Sequence, residues 1–380
     1  MKKTILLGIF ALAFALSSTV KAEMSLSGYA EFYAGSADQS IASIGTNAPT
    51  SAHAQDKAGM DNGTYTRVTA GYSSTMDNGI DVNGTMNVST RDCQGDKVDV
   101  CNVVDFNFVT FSGGFGAVSV GERFAAGHAM MSRLTASGPS GEPDGGNLGA
   151  FYHAANASHN YGRVNEVNYA DNSMKVLYSS NVYSGFSFAA SYAPNTRNTG
   201  LASTRQGQPT AASNGAFGNF SDLISVFGKY AMDIDGIGIE VVYGQQMGNA
   251  GVIGTTNYND LDETAYSALV TYGNFKVDYR KNEQGNSGRP KNDGSGNDEG
   301  TSVCATYTMG NLGVGACDLD SSFTDSSNLT NTASTTTFSA QYNLGGGVSL
   351  AATYFDVEQE SNSVVDTDAD GIAARLAVGF

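Results

Sequence analysis

Apolar and polar side chains alternate along most of this chain in short runs, broken by clusters of Gly, Asn and Asp. Successive side chains of a β-strand point to opposite faces, so period-two alternation predicts strands with one apolar face. The closing segment shows it most clearly. Ile372, Ala374, Leu376, Val378 and Phe380 share one face, and Ala373, Arg375, Ala377 and Gly379 share the other. Upstream, Ile80, Val82, Met86 and Val88 alternate with Asp81, Asn83, Thr85 and Asn87. Sixteen such strands are predicted, over 24–35, 64–75, 80–91, 103–112, 117–123, 173–181, 186–193, 222–232, 237–247, 264–272, 275–282, 301–309, 312–318, 335–344, 348–357 and 371–380.

The connections sort by length. Tight turns such as Asp77-Asn-Gly79, Gly273-Asn274 and Gly310-Asn311 alternate with loops of about ten to over forty residues. Asp/Asn-Gly between alternating runs is a strong hairpin signal. An even strand count with short turns at one end and long loops at the other is the arrangement of a bacterial outer-membrane barrel. A soluble β-sandwich does not sort its loops this way. The expected fold is therefore all-β, a 16-stranded antiparallel transmembrane β-barrel. Strand parity expects lipid-facing rows such as Phe106/Phe108, Phe186/Phe188/Tyr192, Ile237/Ile239/Val241/Tyr243 and Phe338/Ala340/Tyr342. Outward alanines at Ala189-Ala190 and Ala351-Ala352 suit a packed subunit contact better than lipid.

The N-terminus fits export. Met1-Lys2-Lys3 is basic, residues 4–16 are apolar, and Val20-x-Ala22 precedes Glu23. Residues 1–22 read as a signal peptide cleaved after Ala22, and their apolar run is too short to span a bilayer. Residues 23–380 form the barrel domain. Losing Lys2, Lys3 and Lys21 takes the net charge from −17 to −20, which argues against nucleic acid as a partner. Mean hydropathy is −0.20 and no mature run approaches a spanning helix. A barrel stays compatible with that, because only alternate residues need be apolar.

Four cysteines in an exported chain favour disulfides. Continuing the turn at Gly310-Asn311 upward brings Cys304 opposite Cys317, and Cys93 and Cys101 bracket one long loop. Asp366, Asp368 and Asp370 have the spacing of an acidic calcium loop in the last long connection. The twelfth-position Glu of an EF-hand is absent, since Ala377 stands there, so no cofactor is required and Ca²⁺ is at most structural. His53, His128, His153 and His159 lie in loops without a nucleophile elbow or paired carboxylates, so no enzyme is expected. Parity turns Arg67, Lys175 and Arg375 into the lumen, together with Lys229, Lys276, Arg280, Glu31, Asp105, Glu240 and Asp278.

Residues Phe108-Val-Thr-Phe-Ser-Gly-Gly-Phe-Gly-Ala-Val-Ser-Val-Gly121 resemble the hairpin before the constriction loop of Gram-negative general porins. Arg163, Asn172-Ser173, Tyr178 and Gly185-Phe186 resemble the segment after it, and Leu26-Ser-Gly-Tyr29 and Phe380 resemble the family's two ends. The resemblance implies a homotrimeric channel in the outer membrane of a Gram-negative bacterium, set among lipid and lipopolysaccharide. It implies passive diffusion of small hydrophilic solutes and ions, and a third extracellular loop, here about 124–165, folded inward to narrow the pore. Acids on that loop would face a basic wall. Glu142 and Asp144 are the candidate acids, and Arg67, Arg123, Lys175 and Arg375 the candidate bases. The family places Arg directly after the Gly at 121, whereas here Glu122 intervenes, so Arg123 is expected inward only if a bulge turns it. The acidic loops suggest weak cation preference. A substrate-specific channel of the same fold is the alternative, and an adhesin-type barrel a more remote one.

Overall fold

The computed structural model describes residues 23–43, 59–90, 104–131, 134, 151, 173–195, 220–250, 252–253, 255–360 and 365–380. Sixteen strands close into one antiparallel barrel. They are β1 (Glu23–Ser43), β2 (Gly59–Thr75), β3 (Asp81–Ser89), β4 (Val104–Gly113), β5 (Gly116–Glu122), β6 (Met174–Ser179), β7 (Phe186–Asn195) and β8 (Ser221–Ile234). Then follow β9 (Ile237–Asn249), β10 (Leu261–Tyr272), β11 (Phe275–Gly285), β12 (Gly296–Met309), β13 (Leu312–Thr324), β14 (Thr330–Gly345), β15 (Val348–Glu360) and β16 (Val365–Gly379). Each pairs with its neighbours in sequence, and β1 also pairs with β16. Closure matters because a bilayer offers no hydrogen-bond partner to an open sheet edge. At the seam Gly28 N–H donates to Phe380 O and Phe380 N–H donates back to Gly28 O, each at 2.9 Å.

The strands match the sixteen expected and mostly run further toward the long connections. There the alternation continues with polar residues on the outward face, a signal that hydropathy does not mark. On β15 the outward residues Leu350, Ala352 and Tyr354 are followed by Asp356, Glu358 and Glu360. Register aligns Asp318, Thr336, Asp356, Asp370 and Asp38 across five strands. An apolar belt thus gives way to a carboxylate-rich row over one step of the pleat.

Inward positions are mostly buried and outward ones exposed, as the alternation on β9 and β14 shows. Two expectations about faces are corrected. Phe106 and Phe108 face inward, because they pair with Asn87 and Thr85 and Asn87 is buried on the lumen side. The ladder shifts between Asn87 and Val88, leaving Asp105 as the extra residue of a β-bulge, and a bulge reverses parity beyond itself. The outward apolar residues of β4 are Val104, before the bulge, and Val109 and Phe111 after it. Of each alanine pair only one member points outward, since Ala189 and Ala351 are buried inside.

Candidate functional site: the inner wall and the segment against it

Several described residues of the 124–165 segment pack against inward-facing side chains. After β5 the chain forms α1 (Ala126–Met130). Its first amides donate to wall hydroxyls, Ala126 N–H to Ser191 Oγ at 3.1 Å and Gly127 N–H to Ser225 Oγ at 3.2 Å. These satisfy donors that a helix start leaves unpaired. Ala126, Met130 and Met131 bury against Leu177, Ala189, Phe227, Val242 and Ala265. Further along, Leu134 packs beside Cys304 and Cys317. Phe151, 2 % exposed, joins Tyr33, Tyr65 and Phe355. It lies so close to Gly35 that a Cβ there would stand 3.0 Å from its ring. Described points of the segment therefore touch the wall at β6–β10, at β12–β13 and around β1.

The four basic candidates lie on the inner side. Arg67 faces Tyr29 and Ser89 in the ladder, and its guanidinium sits over the Tyr65 and Phe106 rings at 5.7 and 5.8 Å. Such a cation is attracted by the ring quadrupole. Arg375 faces Tyr33, bonds Glu31 Oε1 at 3.2 Å and donates to Gln341 Oε1 at 2.6 Å. The two arginines flank β1, offset along it from Tyr29 to Tyr33, with Glu31 on the inward face between them. Glu31 also accepts from the Tyr33 hydroxyl at 2.5 Å. The basic wall thus contains a carboxylate.

Arg123, the residue just past β5, is inward without a bulge in that strand, whose ladders run unshifted. Because Phe108 points inward, so do its partner Gly121 and the odd-numbered positions of β5. Arg123 stacks 4.6 Å from the Phe108 ring and donates to Ser119 Oγ. Gly121 has φ +138 and Asn107 O would stand 2.3 Å from any Cβ there, so glycine is required where the strand ends. Lys175, 2 % exposed, donates to the carbonyls of Arg123 and of Ser173, the latter at 2.6 Å. It helps fix the Arg123 backbone. Lys229 pairs with Glu240 at 3.2 Å.

Glu142, Asp144, Cys93 and Cys101 lie outside the described residues. Cys304 and Cys317 are bonded, with Cα atoms 4.1 Å apart, in directly opposed positions as the turn register predicted. Asp366, Asp368 and Asp370 are not in a loop, because β16 begins at Val365. The alternation that resembles a calcium loop is equally that of a strand, with Ala369 buried between exposed Asp368 and Asp370. Among the described residues no group of three or more His, Cys, Asp or Glu is placed to hold a metal ion.

Three buried polar groupings go beyond the sequence reading, which turns Asp278 and Arg280 inward without pairing them. Asp278 and Arg280 pair with each other at 2.8 Å. Glu263 accepts from Asn282 at 2.8 Å and Gln284 at 3.1 Å. Arg289 pairs with Asp298 at 2.7 Å beneath the Phe323 ring. The first had a signal, since residues two apart on a strand share a face.

The comparisons with known proteins agree with this architecture. The anion-selective porin of Comamonas acidovorans is 14 % identical, with a TM-score of 0.56 over 94 % of this chain and all of that one. The outer-membrane channel DcaP of Acinetobacter baumannii is 8 % identical, with a TM-score of 0.62 over 94 % and 97 %. OmpT of Vibrio cholerae, an outer-membrane protein in its trimer form, is 12 % identical, with a TM-score of 0.58 over 94 % and 99 %. No curated protein matches in sequence. The family model described as Gram-negative porin matches residues 8–362. This closed barrel, with charged side chains and part of a long connection on its inner side, belongs to the Gram-negative porin family.

Proposed function

We propose that this outer-membrane channel passes small hydrophilic solutes and ions by passive diffusion, with weak preference for cations, and has no catalytic role. In this reading the segment 124–165 folds inward and narrows the lumen. Glu142 and Asp144 supply its acidic side, and Arg67, Arg123, Lys175 and Arg375 supply the wall opposite. The observation that carries the reading is the burial of Ala126, Met130, Leu134 and Phe151 against separate parts of the inner wall. A pore needs only width, hydrogen-bonding groups and a sign of charge to select.

Cation preference is supported by the chain's −20 charge after export and by the pairing of the inner-wall Arg280 and Arg375 with Asp278 and Glu31. The Comamonas relative carries the opposite selectivity in its name, so charge placement rather than fold sets the sign. A homotrimer, supported by the trimer form of the Vibrio relative, and maturation by cleavage after Ala22 complete the reading. Planar-bilayer recordings across a salt gradient test it: a reversal potential of cation-selective sign is expected. Anion-selective sign removes the preference, and absence of open-channel current removes the channel.

Because no described acids are grouped to chelate a metal, calcium enters only as a loosely held structural ion on the expected Asp366, Asp368 and Asp370, along a carboxylate row where Asp356 and Glu358 oppose Asp370 and Asp368. Added Ca²⁺ should then raise the thermal unfolding temperature of chelator-treated protein. An unchanged midpoint dismisses the site.

A further inference from the structure

On the inner wall, Leu269, Asp278, Cys304 and Cys317 form one cross-strand row from β10 to β13. Arg280 stands one inward step along β11, between Ser267 and Ser302. It is 1 % exposed and Asp278 is fully buried. Arg280 Nε donates to Asp278 Oδ1 at 2.8 Å, while its Nη2 donates to the Leu134 carbonyl at 3.2 Å. The Leu134 side chain meanwhile packs with the two bonded cysteines, and Leu269 closes the cluster from β10. One residue of the inward segment is thus held twice, its backbone by a guanidinium and its side chain by a disulfide.

Register does not need the disulfide, because the ladder from Met309–Leu312 already opposes Cys304 and Cys317. What the bridge adds inside the barrel is bulk. Its inward neighbours along the two strands are Ser302 and Thr306 on β12 and Gly315 and Leu319 on β13, so the sulfur pair extends the bulk of buried Leu319 across an otherwise small-residue stretch of wall. Arg280 has a matching character. Paired with a carboxylate, it adds no net charge to the lumen, yet the planar fork has donors left for a carbonyl. A selectivity residue would present its charge to the solute. This one is covered by the segment it holds.

We propose that the Cys304–Cys317 bridge and the Asp278–Arg280 pair form a seat that positions the inward segment at Leu134 and so sets the width of the channel. The width part rests on the channel reading above; the seat itself does not. Two wall variants separate the terms, the charge-neutral double variant Asp278→Asn with Arg280→Gln and the bridge variant Cys304→Ala with Cys317→Ala. A third, Leu134→Ala, alters only the segment side and serves where a wall variant fails to fold. Folding is read from heat-sensitive gel mobility.

Each folded variant is measured in two ways. Limited trypsinolysis of the full mature protein reports cleavage after Arg133, resolved by mass spectrometry. Loss of a charge-assisted contact should raise the open population, and with it the cleavage rate, roughly tenfold. Single-channel recording should show new conductance levels and greater open-channel noise, with the reversal potential unchanged in the charge-neutral variant. Wild-type cleavage in every folded variant overturns the seat. Faster cleavage with wild-type conductance overturns its control of width, and a shifted reversal potential in the charge-neutral variant makes the pair a selectivity element instead. If the wild-type protein conducts nothing while the variants cleave faster, the channel reading falls and the seat stands.

Discussion

Arg375 holds two acceptors at once, Glu31 from β1 and Gln341 from β14. Replacing it with Gln removes a positive charge and deprives Glu31 of its ion-pair partner. Unit charges about 4 Å apart interact by about 1 kcal/mol in water, so the change in cation-to-anion permeability ratio should be upward and no greater than about fivefold. A reversal-potential series on Arg375→Gln reads it directly; an unchanged ratio would place Arg375 away from the ion path. Gly35 is constrained sterically. A Cβ there would stand 2.7 Å from Ile372 O and 2.9 Å from Ala373 Cα, both backbone atoms of the paired strand. Gly35→Ala should therefore cost about 1–3 kcal/mol, visible as a lower denaturant midpoint for the micelle-held barrel. The sequence made Arg375 legible because β16 alternates without interruption. It left Gly35 unremarkable, because the ring of Phe151 reaches it from more than a hundred residues away.

Among the elements, legibility followed how cleanly each strand separates its faces. β9, β11 and β16 have one apolar face, and their inward and outward rows were assigned correctly from parity. β4 carries aromatics on both faces, Phe106 and Phe108 on one and Phe111 on the other. Parity then has nothing to decide it, and the bulge at Asp105 leaves no composition signal. The expected bulge at Arg123 has a different source, Glu122 standing where the resembling family has its Arg directly after the Gly. At the far end of β16 the opposite happened: alternating Asp and small residues fit a metal loop and a strand equally. The ladder to β15 runs through Thr367–Gln359 and that to β1 through Val365–Ser43, which two-sided pairing makes testable. Amides of Asp368, Ala369 and Asp370 should exchange hydrogen as slowly as those of Ala373 and Ala374. Exchange within the dead time would mean that this segment behaves as the loop first expected.

For the whole molecule, the decisive pattern is the sharp change in outward residues along β12–β16. On β15 it runs Val348, Leu350, Ala352, Tyr354 and then Asp356, Glu358, Glu360; on β16 it runs Val378, Leu376, Ala374, Ile372 and then Asp370, Asp368. A belt followed by carboxylates fixes how deep the barrel sits, because an outward charge in the hydrocarbon has no water to solvate it and one at the interface does. Depth can be measured by moving one charge along one strand. Leu350 and Glu358 share the outward face of β15 and are both exposed, so neither substitution disturbs the lumen. Leu350→Arg should destabilise the barrel in lipid vesicles by about 2–4 kcal/mol, against about 0–1 kcal/mol for Glu358→Arg. Reversible unfolding in denaturant gives both values. Equal costs would mean that the apolar row near Leu350 does not lie in the hydrocarbon, and a loss of self-association without a loss of barrel stability would assign it to a neighbouring copy. The gradient between the two positions, rather than either value alone, tests whether the belt is the membrane-spanning part.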